Sequence, residues 1–252
     1  MHPSTLRSVA GLAIVIVYLA MQPGWDHFRK WAATWGGRPG HWAKTLRHRP
    51  TRARRIALAG RIVYSLAIPY IALLLGLADA RGLGLAGLMR WPELPMAILL
   101  GVAGVGFLSW LWRRLSLSCY RQGEGVRLLS AEWQACHTPW GWVHLLAEVI
   151  CLQMSWAFVR GSAIRLVGLY PGVFVGLVLV AGAWLLRPGS IPSLADPEAR
   201  ARTLLVAALA VISSLVFLYA ENLWLAALTH GSGLLGATLA AGRAYRDSVA
   251  TQ

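Results

Sequence analysis

The chain has 252 residues, 57% hydrophobic and only 13% charged, where a soluble domain carries about 25% charged residues. That balance excludes an ordinary water-soluble domain and indicates a polytopic membrane protein. The net charge of +14 comes from 24 Lys and Arg against 10 Asp and Glu. These charges lie between apolar runs, so they read as topology signals and not as a nucleic-acid surface.

Seven apolar segments are expected to form helices, at about residues 8–24, 56–79, 94–112, 140–162, 164–186, 203–220 and 222–242. Each is near the roughly 20 residues that a spanning helix needs. The expected fold is all-α, a single membrane domain over 1–252 with about seven transmembrane helices (range 6–8). No small-x-small cleavage site follows the first segment, which therefore reads as an uncleaved anchor.

Residues 25–55 form the longest polar piece. Trp25, Phe28, Trp31 and Trp35 recur at near-helical spacing around Arg29 and Lys30, the pattern of a helix lying in the interface. Gly36-Gly37 and Pro39-Gly40 end it. Arg47, Arg49, Arg52, Arg54 and Arg55 then make a basic amphipathic loop that would attract anionic lipid.

Placing Arg and Lys on the side where they are most numerous puts loops 25–55, 113–139 and 187–202 and the C-terminal tail together. The positive-inside rule makes that side cytoplasmic and the N-terminus external, in a bacterial inner membrane. Tryptophans at the segment ends (Trp25, Trp91, Trp112, Trp140, Trp184, Trp224) suit an aromatic belt. Cys119, Cys136 and Cys151 are odd in number and make no disulfide framework.

Three places in the apolar segments are polar. The fourth segment holds His144, Glu148, Gln153, Ser155 and Arg160, the sixth Ser213 and Ser214, and the last turn and segment Glu221, Asn222, Thr229, His230 and Ser232. An ionisable side chain in lipid marks a function by default. His144 and Glu148, four apart, share a helix face. Glu148 is then an ion-pair partner of His144, a water-accessible group, or a general base. Zinc would accept His144, Glu148, Cys151 and His230 as ligand types, but neither HExxH nor CxxC spacing is present. A tetrapyrrole metal would accept His144 or His230. A Ser155 or Cys151 nucleophile with His230 lacks a Gly-x-Ser-x-Gly element. No cofactor is expected. The glycines Gly101, Gly104, Gly106, Gly231, Gly233 and Gly236 are small-residue helix faces. They are expected to pack within the chain before they pack on other subunits.

The stretch from Phe217 to His230, with Asn222-Leu223-Trp224 ahead of the histidine, resembles the end of the CPBP family, the CAAX-protease and bacteriocin-processing membrane proteins. The stretch Ser155-Trp156-Ala157-Phe158-Val159-Arg160-Gly161 has the length and ending of that family's Glu-Glu-x-x-x-Arg motif. The resemblance covers residues 90–242 in architecture and these two stretches in motif. It implies a CPBP-like helical core and a site at His230, Arg160 and the positions of Ser155, Trp156 and Leu234. In the family a glutamate activates water, and histidine and asparagine stabilise the oxyanion.

This chain departs from that pattern. Ser155 and Trp156 replace the two glutamates, Leu234 replaces the asparagine four residues after the histidine, and 163–187 contains no histidine. An alternative alignment puts Glu148 on the second glutamate but leaves Leu152 where the arginine belongs. At 1.5 Å rise per residue it also sets Glu148 roughly 20 Å from the outer end, against about 9 Å for Ser155 and 12 Å for His230. Loss of a general base alone costs about 10²–10⁴ in rate. The expectation is a catalytically inactive CPBP-like protein, a structural or assembly subunit of a photosynthetic- or respiratory-type membrane complex, with anionic lipids and other membrane subunits as partners. The alternative is an active intramembrane endopeptidase that uses Glu148 and His230. In the first case His230 keeps a hydrogen bond in the bundle, to Ser155 or Glu148.

Overall fold

The computed structural model describes residues 3–21, 50–86, 91–121, 128–138, 140–187 and 189–250. All regular structure among them is helical. The long helices are α1 (Pro3–Met21), α2 (Pro50–Leu74), α3 (Leu94–Arg121), α5 (Gly141–Val167), α6 (Leu169–Leu185), α8 (Pro197–Ala220) and α9 (Leu223–Ala250). Two short helices, α4 (Ser130–Cys136) and α7 (Ser190–Ser193), sit in connections. The interfacial-helix expectation for residues 25–46, and Arg47 and Arg49, lie outside the described residues. Arg52, Arg54 and Arg55 fall in the first two turns of α2, so the backbone there is helical and not loop.

Several helices run beyond the apolar segments that announce them. An apolar run measures hydrocarbon depth, whereas a helix stops where its backbone is capped. Thus α2 starts at Pro50, whose fixed φ suits the first helical position. Helix α8 starts at Pro197, behind Asp196, whose carboxylate accepts from Ala199 N at 2.9 Å. It ends on Glu221, which takes a left-handed conformation (φ 46°). Asn222 then caps α9, its Oδ1 accepting from Leu225 N at 3.0 Å.

Among the described residues four helices are long and apolar enough to cross a membrane: Trp91–Tyr120, Gly141–Val167, Pro197–Ala220 and Leu223–Asp247. Ala10–Met21, Ala59–Leu74 and Leu169–Leu185 are apolar but shorter. Contacts give the helix directions. Arg61 meets Glu148 while Arg165 reaches Gly76 O, so α2 and α5 run parallel. Gln153 meets Ser213 and Arg160 meets Phe217, so α8 runs with them. Helix α1 opposes α2, through Tyr18 stacked on Tyr64 and Gly11 against Leu77. Helix α6 opposes α5, with Gly172 on Ile164 and Gly176 on Arg160. Helix α3 runs parallel to α9, with Gly101 on Thr229 and Tyr120 on Tyr245.

Four apolar clusters hold this arrangement among the described residues, two of them large. One joins α1, α2 and α5 through Val15, Tyr18, Ala72, Ala157 and Phe158. The other joins α3, α5, α8 and α9 through Leu108, Val149, Leu205, Leu209 and Leu234. Most of the glycine faces serve the second: a Cβ at Gly104 would press on Ile212, and one at Gly236 on Ser109 Oγ. Gly106 faces open space. The loop after α2 closes one end of the bundle. Its Gly82 lies on Gly161, and the carbonyl of Gly84 accepts from Leu223 N at 3.0 Å.

Candidate functional site around His230

His230 lies two turns into α9 and is 1% exposed. Its Nδ1 is 3.1 Å from Gln153 Nε2, and the same amide nitrogen donates to Ser213 Oγ at 3.1 Å. With the amide as donor, His230 Nδ1 is the acceptor, which leaves the ring proton on Nε2. Among the described residues neither His230 Nε2 nor Gln153 Oε1 has a hydrogen-bond partner. The Trp156 ring covers the imidazole, with centroids 5.2 Å apart. The surroundings of His230 are therefore an amide, a hydroxyl and an indole. The partner is Gln153, not Ser155 or Glu148 as expected.

Ser155 is turned away from this cluster. Its Oγ is 2.5 Å from Tyr18 Oη and donates to Cys151 O at 2.8 Å. Tyr18 belongs to α1, so Ser155 fastens the first helix to the fifth. Tyr64 of α2 brings in a third helix by donating to Tyr18 O at 2.5 Å. Leu234, one turn beyond His230, is buried in the second apolar cluster. Asn222 is a helix cap and Trp224 is 60% exposed.

Arg160 is 3% exposed, and its guanidinium carbon lies 3.4 Å from the centroid of the Phe217 ring. Its Nε and Nη2 lack hydrogen-bond partners among the described residues. A buried charge without a counter-ion is costly, and the ring face supplies part of the compensation. Gly176 gives α6 the room to pass, since a Cβ there would come within 2.9 Å of Arg160 Cα.

Glu148 makes no hydrogen bond to His230. Its carboxylate pairs with Arg61 of α2 at 3.1 Å and with Arg202 of α8 at 3.1 Å. Arg202 also reaches Glu132 of α4 at 2.8 Å, and that carboxylate is 4% exposed. The expected pair with His144 does not form, because two arginines from other helices reach the carboxylate first. His144 is half-buried. Among the described residues no three His, Cys, Asp or Glu side chains gather as metal ligands, so the drawn set of His144, Glu148, Cys151 and His230 is not assembled.

The sequence singled out Gln153 as polar but gave it no role, and it missed Tyr18, Glu132, Arg202 and Phe217. Arg202 and Glu132 lie in the loop ranges 187–202 and 113–139, and Tyr18 lies within the first apolar segment. A tyrosine inside a span needs a hydroxyl partner when buried, and that was the available signal for the Tyr18–Ser155 contact. No family model, curated protein or solved structure matches this chain. The described residues are all-helical in their regular structure, with four helices long and apolar enough to span a membrane.

Proposed function

We propose that this chain is a catalytically inactive, CPBP-like membrane protein that works as a structural or assembly subunit of a larger membrane complex. The observation that carries this reading is the company of His230: Gln153, Ser213 and Trp156, with no carboxylate among them. No carboxylate is hydrogen-bonded to this imidazole, so the general base that the family's glutamate supplies has no counterpart in contact with it. The positions that resemble the family's glutamates serve packing, Ser155 on Tyr18 and Trp156 on His230.

Seven spans are part of the proposal. The alternating directions support them: α1, α3, α6 and α9 run one way, and α2, α5 and α8 the other. The end that carries Arg61, Arg113, Arg114 and Arg202 is then cytoplasmic, and the end with Arg81, Arg165 and Glu221 external, in a bacterial inner membrane. The glycine faces of α3 and α9 are largely used inside the chain. Partner helices are left lipid-facing stripes such as Tyr170, Phe174 and Val178 on α6.

The competing reading is a peptidase that recruits Glu148 and His230. It would require Glu148 to leave Arg61 and Arg202. The test is to express the protein and its Glu148→Gln and His230→Ala variants, and to compare new protein termini in the membrane fraction by mass spectrometry. The proposal expects the same termini in all three. Termini present with the parent chain and lost in both variants would refute it.

A further inference from the structure

We propose that the outward face of α3 around Trp110, Arg113 and Arg114 is a binding site for one anionic glycerophospholipid, with the phosphate at the arginines and an acyl chain along Leu99, Val102 and Phe107. This rests on α3 crossing the membrane and not on the inactive-protease reading.

Helix α3 is the least covered of the four candidate spans. Only 17% of its apolar window is buried, against 44–50% for the other three. Leu99, Val102 and Phe107 are 57–66% exposed. At Gly106 nothing lies within 4 Å of where a Cβ would be, so the face is recessed beside the Phe107 ring. One turn further on, the same face becomes basic. Trp110, Arg113, Arg114 and Leu117 are spaced three and four apart, which places them on one stripe, and together they line a shallow groove of about 270 Å³. Arg114 lies 5.8 Å over the Trp110 ring. That stacking orients the guanidinium while leaving its edge donors free to hydrogen-bond.

Arg113 faces Asp247 of α9 at 3.4 Å, but both side chains are 57% exposed. A guanidinium has five N–H donors, so this single contact leaves most of them to an incoming oxygen. Two adjacent guanidinium groups match the planar, bidentate recognition of a phosphate. A tryptophan at this level occupies the headgroup boundary. Charge and depth together select a lipid whose anionic headgroup sits where its chains can follow the apolar face.

The test uses the full chain, delipidated in neutral detergent and titrated with phosphatidylglycerol or phosphatidylcholine, with bound lipid counted by native mass spectrometry. The expected result is at least tenfold tighter binding of phosphatidylglycerol, lost in Arg113→Gln/Arg114→Gln and weakened in Ser118→Asp, which places a negative charge beside the groove. A two-charge removal at the same end of the bundle, Arg187→Gln/Arg200→Gln, keeps the preference. Equal affinity for the two lipids, or equal losses in the two double variants, would overturn the site and leave only bulk charge attraction.

Discussion

Gln153 holds His230: the amide nitrogen on α5 is 3.1 Å from the imidazole Nδ1 on α9, and it also donates to Ser213 on α8. One neutral side chain thus joins three helices at the position where the resemblance places an active site. Both partners are 1% exposed, so the bond is made where no water competes for it.

Removal of that amide orphans the histidine Nδ1 and leaves the Ser213 hydroxyl only its bond to Ala210 O at 3.3 Å. Gln153→Leu is expected to destabilise the protein by about 1–3 kcal/mol, the cost of leaving buried polar groups unpaired. A double-mutant cycle with His230→Ala should return a coupling energy of about 1 kcal/mol, read as melting temperatures in detergent. Strict additivity would show that the two side chains do not act as a pair.

Glu148 and Arg202 predict an order among charge deletions. Arg202→Gln strands Glu132, at 4% exposure, and leaves Glu148 with Arg61 alone. Arg61→Gln leaves Glu148 still paired. Loss of Arg202 is expected to cost roughly 1–3 kcal/mol, below the value for a fully buried pair because Arg202 is half-exposed and screened. Loss of Arg61 should cost about 0–1 kcal/mol. Thermal melts of the two variants check the order, and a larger loss with Arg61→Gln would contradict the network.

Two glycines of α6 should respond in opposite directions to the same substitution. A Cβ at Gly172 would lie 2.5 Å from Ile164 Cα, a backbone atom that cannot swing away. Gly172→Ala is therefore expected to destabilise by about 1–3 kcal/mol through overpacking. Gly182 has nothing within 4 Å and an ordinary helical φ, so Gly182→Ala should stabilise by about 0.4–1 kcal/mol. Denaturation of the pair tests how closely α6 packs on α5.

Topology gives a fourth expectation. In a chain freed of Cys119, Cys136 and Cys151, a cysteine at Ala86 should react with a membrane-impermeant maleimide added outside intact cells. A cysteine at Ala195 should react only after the membrane is opened. Both residues are exposed, so labelling reports sidedness. The reverse pattern would invert the bundle.

The order and approximate centres of the helices could be read from the chain, because each apolar run must be buried in lipid or protein whatever its neighbours are. Their ends could not, because Asp196, Pro197 and Asn222 act through backbone caps that a hydropathy window averages away. Ser155 and His230 were correctly marked as polar residues in apolar helices. Their partners were not legible, since Tyr18 is 137 positions from Ser155 and Gln153 is 77 from His230. Glu148 shows the limit most clearly. Spacing on its own helix suggested His144, whereas α2 and α8, distant in sequence, supply arginines that reach it across the bundle.

The most direct measurement is the state of the protein in its own membrane: gentle solubilisation, affinity capture of the full chain and mass measurement of the intact assembly. The expected result is a defined membrane protein held in stoichiometric ratio with this chain, unchanged when His230 is replaced by Ala in a variant that still folds. A chain that is recovered alone under conditions that preserve other complexes of the same membrane would contradict the subunit role.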